Sequence, residues 1–142
     1  MRGTIYVTQD FSIANNATIK LDPDYSSTSG VVIVDGKSDI KNGSTLQGSG
    51  VVGSYLMILS TNPSLDPANP AINVNNNATG AVFYTSLGVI RLRNNMKIRE
   101  ATGYKLYLDN NAEIEYEVGL MNTEFSSGPS GGWIVASWKE VE

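Results

Sequence analysis

Fourteen acidic side chains, with no histidine and no cysteine, set the chemistry open to this 142-residue chain. Without imidazole or thiolate there is no Ser–His or Cys–His nucleophile and no nitrogen- or sulfur-ligated metal centre. What remains is carboxylate chemistry: a hydrolase or lyase built on paired acids, or a cation held by oxygens alone. Two groups of acids lie close enough in sequence to consider. Asp22 and Asp24 flank Pro23, and Glu113, Glu115 and Glu117 alternate along one strand-like run. Glycoside hydrolysis needs two carboxylates facing each other across a groove, about 5–9 Å apart. Acids two apart on a strand point the same way instead, which describes a solvated stripe. Asp-Pro-Asp offers too few oxygens for a calcium site. The reading is a chain with no catalytic residue, no metal ligand and no cofactor.

The remaining polar signals are equally spare. A net charge of −4 and a pI near 4.7 exclude the clustered positive field that a nucleic-acid surface needs. Arg91, Arg93, Lys97 and Arg99 form the one basic cluster; beside the acidic stripe it reads as an ion-paired outer face. Asn16, Asn42 and Asn77 each open an N-x-[ST] sequon, but all three fall inside a repeated motif that explains them as turn residues. No apolar run reaches the roughly 18–20 residues of a membrane span, so no membrane contact is expected of this chain. Residues 1–10 enter a strand-like alternation directly, without a basic and apolar leader, which leaves open whether an anchoring helix precedes them.

The elements that position these residues come from that motif. Asn15, Asn42, Asn76, Asn94 and Asn110 each follow an apolar residue two places earlier: Ile13, Ile40, Val74, Leu92 and Leu108. Four places earlier stand Phe11, Ser38, Ile72, Ile90 and Leu106; four places later stand Ile19, Leu46, Gly80, Ile98 and Ile114. The residue after each asparagine is Asn, Gly, Asn, Asn and Asn. Apolar side chains at every second position mark half-buried strands, and asparagine or glycine between them marks a left-handed turn residue. The spacings of 27, 34, 18 and 16 residues combine a fixed local pattern with variable length, as in a solenoid whose loops vary. Stacked coils would put the five asparagines about 4.8 Å apart, as a turn ladder. Further strand candidates precede the motif at 5–7, 31–34, 55–59 and 81–85.

These features predict an all-β chain: a single-stranded, right-handed parallel β-helix of about five coils, with a β-sandwich as the alternative. Aligning the last two coils places Ile98 on Ile114, Lys97 beside Glu113 and Arg99 beside Glu115. One domain spans the chain, with coils over 1–118, a turn-rich connector over 119–132 and a capping strand over 133–142. Trp133 and Trp138 would close the apolar end there, or stack on a sugar ring. TNPSLDPANP (61–70), with three prolines, reads as an excursion from the coil, and LDPDYSSTSG (21–30) as a shorter one. In the first, Asn62, Ser64, Asp66 and Asn69 are the candidate contact residues; a plain spacer is the competing reading. Gly80, at a position that is Ile or Leu in the other four repeats, marks where the coil is least regular and where a specialised surface is expected.

Read in order, SGVVIVDGKSDIKNGSTLQGSG, YLMILSTN, INVNNNATGAVFYTSLGVIRLRNN, YKLYLDNNAEIEYEVGL and SSGPSGGWIVASWKEVE resemble the C-terminal domain of PilX-type accessory proteins of bacterial type IV pili. The resemblance covers roughly residues 30–142. It implies an extracellular or cell-surface domain without catalysis, a rigid scaffold or adhesin whose partners are pilus subunits or surface glycans. It carries no binding motif over to this chain. Two other functions compete: a self-assembling β-helix of the bactofilin kind, and a carbohydrate-active β-helical enzyme.

Overall fold

The computed structural model describes residues 1–116 and Phe125. Over the described residues the chain winds five times around one axis, and each turn is built from short, flat runs. The first coil carries β1 (Ile5–Val7), β2 (Phe11–Ile13) and β3 (Thr18–Lys20); the second carries β4 (Gly30–Val34), β5 (Ser38–Ile40) and β6 (Thr45–Gln47). The third has β7 (Leu56–Ser60) and β8 (Ile72–Val74), with Thr79 alone bridging on its third side. In the fourth, β9 (Val82–Leu92) covers two sides without a break before β10 (Lys97–Ile98). In the fifth, β11 (Glu100–Leu108) does the same before β12 (Glu113–Ile114).

Every strand pairing is parallel and joins one coil to the next. The result is a three-sided parallel β-helix. The second side carries the motif's register: Ser38 lies between Phe11 and Ile72, and Ile72 pairs with Ile90, which pairs with Leu106. Ile13, Ile40, Val74, Leu92 and Leu108 form the neighbouring column. On the first side Ile5, Val32, Ile58, Phe83 and Ala101 stack in the same way. Inward columns from the three sides merge into one apolar core running from Ile13 to Ile98. Among the described residues the second-side columns end at Leu106 and Leu108, which are 38% and 46% exposed.

Each coil turns at the motif. Asn16, Gly43, Asn77, Asn95 and Asn111 all have φ between 58° and 67°, the left-handed region that asparagine and glycine tolerate best. The left-handed residue is thus the second of each pair, and the first supplies a carbonyl. Asn16 N–H donates to Asn42 O at 2.9 Å, Gly43 N–H to Asn76 O at 3.0 Å, and Asn95 N–H to Asn110 O at 3.1 Å. The ladder at this corner therefore runs mainly through backbone. Its one direct amide rung joins Asn111 Nδ2 to Asn95 Oδ1 at 3.2 Å, one residue further along than the sequence alignment placed it.

The last two coils stack with Lys97 on Glu113 and Ile98 on Ile114. The Lys97 Nζ and Glu113 Oε2 atoms lie 3.0 Å apart, and Glu115 N–H continues the register by donating to Ile98 O at 3.0 Å. Glu117, the 119–132 connector (Phe125 apart) and the 133–142 strand with Trp133 and Trp138 lie outside the described residues.

Candidate functional site

The outward residues of the second side form a polar network across four coils. Asp39, Asn73, Arg91 and Tyr107 occupy one register column. Asp39 accepts from Lys41 Nζ at 2.5 Å, Asn73 Nδ2 at 3.0 Å and Asn75 Nδ2 at 2.7 Å. Burial alone would push its carboxyl up, but these three donors outweigh that and hold it below the usual carboxylate value. Arg93 Nε donates to Asn73 Oδ1 at 3.2 Å. Arg91 grips Asp109 and lies over the Tyr107 ring, 5.1 Å from its centroid. The ion-paired face expected of Arg91 and Arg93 thus exists, with Asp109 as its acid and not the glutamate strand.

The proline-rich excursion is fastened to this face. Asn62 Oδ1 accepts from Ser64 N–H at 3.0 Å and Asp66 Oδ1 from Ala68 N–H at 2.8 Å, two side-chain turns that shape the loop. Ser64 Oγ donates to Asn69 O at 2.7 Å. Ser64 O receives Val89 N–H at 2.8 Å, and Pro67 O receives Arg91 Nη1 at 3.0 Å. The four candidate contact residues Asn62, Ser64, Asp66 and Asn69 come together in one loop, where they bond chiefly to its own backbone.

Asp22 and Asp24 converge on Arg2, with Nε 2.8 Å from Asp22 Oδ2 and Nη2 2.7 Å from Asp24 Oδ2. The Arg2 hydrogen bond holds the Asp22 carboxyl below its ordinary value. Among the described residues no three acids gather as a metal cluster. Asn15, Asn42, Asn76, Asn94 and Asn110 line one corner of the solenoid as turn residues.

The third side carries the most distinctive surface. In the third coil this side ends at Gly80, whose φ is 97°. A Cβ there would stand 2.3 Å from Leu46 O, so only glycine lets the chain cross so close to the coil above. The notch this leaves is walled by residues 48–55. That loop is drawn tight at its neck: a Cβ on Gly48 would fall 1.9 Å from Ser54 O. Ser54 Oγ receives Ser49 N–H at 2.9 Å and donates to Thr28 O at 2.7 Å. Ser29 Oγ receives Tyr55 N–H at 2.8 Å, and Ser49 Oγ donates to Ser26 O.

The resulting cleft holds about 610 Å³. Val51 and Val52 form its apolar lip, Val52 being 89% exposed. Lys20, Lys97, Arg99 and Glu115 ring it, with the Lys97 ammonium held 3.0 Å from Glu113. The Lys20 ammonium reaches across to the loop, 3.7 Å from where a Cβ on Gly50 would sit. Its bond to Glu113 raises the pKa of Lys97, so that ammonium stays charged at neutral pH. The sequence pointed to Gly80 but not to the loop over 48–55, whose Ser49, Ser54 and Tyr55 are bonded to residues 26–29. No family model matches the chain, and neither a curated protein nor a solved structure matches it.

Proposed function

We propose that this chain is a rigid, non-catalytic β-helical domain serving as a structural or adhesive element at a cell surface or pilus, with its loops as the contact surfaces. The observation that carries this reading is the Arg91 node. One side chain ties the fourth coil to the fifth through Asp109 and fixes the 61–70 excursion through Pro67 O. Charged groups here lock coils and loops in place, which is what a load-bearing display scaffold requires. The pilus setting rests on the sequence phrases that resemble PilX-type domains.

Light scattering across a wide concentration range, paired with an assay for sugar release from acidic polysaccharides, tests this. The expected result is one constant mass and no turnover. Growth into filaments would favour end-to-end polymerisation, for which the outer edges of β1 and β11, unpaired among the described residues, are the supporting observation. Turnover that disappears with a single carboxylate variant would make the chain an enzyme.

A further inference from the structure

Four of the five corners carry Asn-Asn, and the second coil alone carries Asn-Gly, at Asn42 and Gly43. In an Asn-Gly pair the backbone nitrogen reaches the preceding side-chain amide most easily, because glycine has no Cβ to obstruct the approach. The Asn42 side chain is exposed, so its amide is open to water and to loss of ammonia. The nitrogen that would attack it is held. Gly43 N–H donates to Asn76 O in the third coil at 3.0 Å, and Asn42 O accepts from Asn16 N–H in the first at 2.9 Å. The peptide group between the two residues is thereby bonded to both neighbouring coils. Ser44, which is fully buried, pins the turn from behind, its Oγ donating to Lys41 O at 2.7 Å and to Ala14 O at 3.0 Å.

We infer that Asn42 is a succinimide-forming deamidation site that the stacking of the coils holds closed. In the reaction Gly43 N gives up its proton and bonds to Asn42 Cγ, while the side-chain nitrogen takes up a proton and leaves as ammonia. Water then opens the ring at either carbonyl, giving aspartate or isoaspartate; nothing is oxidised or reduced, and water is the only co-reactant. The first step cannot proceed while Gly43 N–H donates to Asn76 O, because the same nitrogen must lose that proton and turn toward Cγ. The rate is therefore set by the fraction of time for which the second and third coils part at this corner. Isoaspartate reroutes the main chain through Cβ and lengthens it by a carbon between Lys41 and Gly43. The bonds to Asn16 and Asn76 can then no longer both be made, and a transient opening becomes a permanent one.

Peptide mapping by mass spectrometry tests this on the whole chain, incubated in mildly alkaline buffer either folded or unfolded in urea. The readouts are the mass gain of an amide-to-acid change and the fragment ions that distinguish isoaspartate from aspartate. In urea Asn42 is expected to convert ahead of every other asparagine, and Gly43→Asn to remove that lead. In the folded chain Asn42 is expected to convert at least about tenfold more slowly than in urea. Ser44→Ala, which removes the two bonds behind the turn, is expected to raise the folded rate relative to its own urea rate by at least about threefold. Arg91→Met loosens the fourth and fifth coils instead and is expected to leave that ratio unchanged. The inference is overturned if the folded chain converts Asn42 as fast as the unfolded one or if another asparagine leads in urea. It is equally overturned if Arg91→Met speeds the reaction as much as Ser44→Ala, which would make global unfolding the gate. These rates are independent of the mass and turnover measurements that test the scaffold reading.

Discussion

Arg91 and Asp109, in successive coils, are joined by two parallel hydrogen bonds, from Nε at 3.1 Å and from Nη2 at 3.2 Å. Both side chains are less than one-fifth exposed, so removing one partner leaves a poorly solvated charge behind. Arg91→Met is therefore expected to cost about 2–3 kcal/mol of stability, read by chemical denaturation. The same change frees Pro67 O, and limited proteolysis should then cut within 61–70. A loop that stays as resistant as before would separate the node from the loop's anchoring.

Asp39 sets an acid limit. Its folded pKa is depressed, so the stability it contributes is present above the unfolded value of about 3.9 and is lost as pH falls through the folded one. Asp22 acts with the same sign. Denaturation midpoints should hold steady from pH 7 to about 5 and fall below about 4. Asp39→Asn should flatten that fall; a variant with an undiminished acid slope would assign the effect elsewhere.

Gly80 on the third side and Gly43 at the corner that leads into it should answer differently to substitution. At Gly80 a Cβ meets the Leu46 backbone carbonyl at 2.3 Å, whereas at Gly43 it meets the end of the Asn16 side chain, which can rotate away. Gly80→Ala should cost more than about 2 kcal/mol. Gly43→Asn, which writes the other four repeats' residue into the second, should fall within about 1 kcal/mol of the parent. Equal losses at both positions would contradict this account.

Ser38 occupies a core column between Phe11 and Ile72, and its hydroxyl is buried without a hydrogen-bond partner. An unmet buried hydroxyl costs on the order of 1 kcal/mol or more. Ser38→Ala should leave the thermal midpoint equal or higher; a clear drop would mean that the hydroxyl has a partner, such as a bound water.

The stacking of this solenoid was legible because its signals are local. Leu92 and Leu108 fall in line because each stands two residues before an asparagine turn, and Asn95 and Asn111 adopt φ near 58° for reasons contained in their own side chains. Lys97 and Glu113 could be paired once that register was set. What the sequence hid depends on contacts between coils. Gly80 looked like a missing core residue, but it is required by the Leu46 carbonyl in the coil above. Arg91 looked like a partner for the glutamate strand, yet it binds Asp109, two residues beyond its register mate Tyr107. The separate strands expected around 81–85 and 90–92 are one, because the chain at Gly88 bends against Ala71 and the carbonyls of Asn62 and Ser64 without leaving the sheet. The loop over 48–55 carried no periodic signal at all; its shape comes from serines that bond into the preceding excursion.

Because every strand pairs only with its counterparts in the coils directly before and after it, the winding has a mechanical consequence. Tension applied at the first residues meets the bonds between the first and second coils alone, and the deeper coils are loaded only after those have opened. The thread should pay out in discrete lengths, about 55 Å for a 16-residue coil and about 120 Å for the 34-residue one at full extension. Pulling force would then trace a staircase with one tread per coil, its longest tread at the proline-rich excursion.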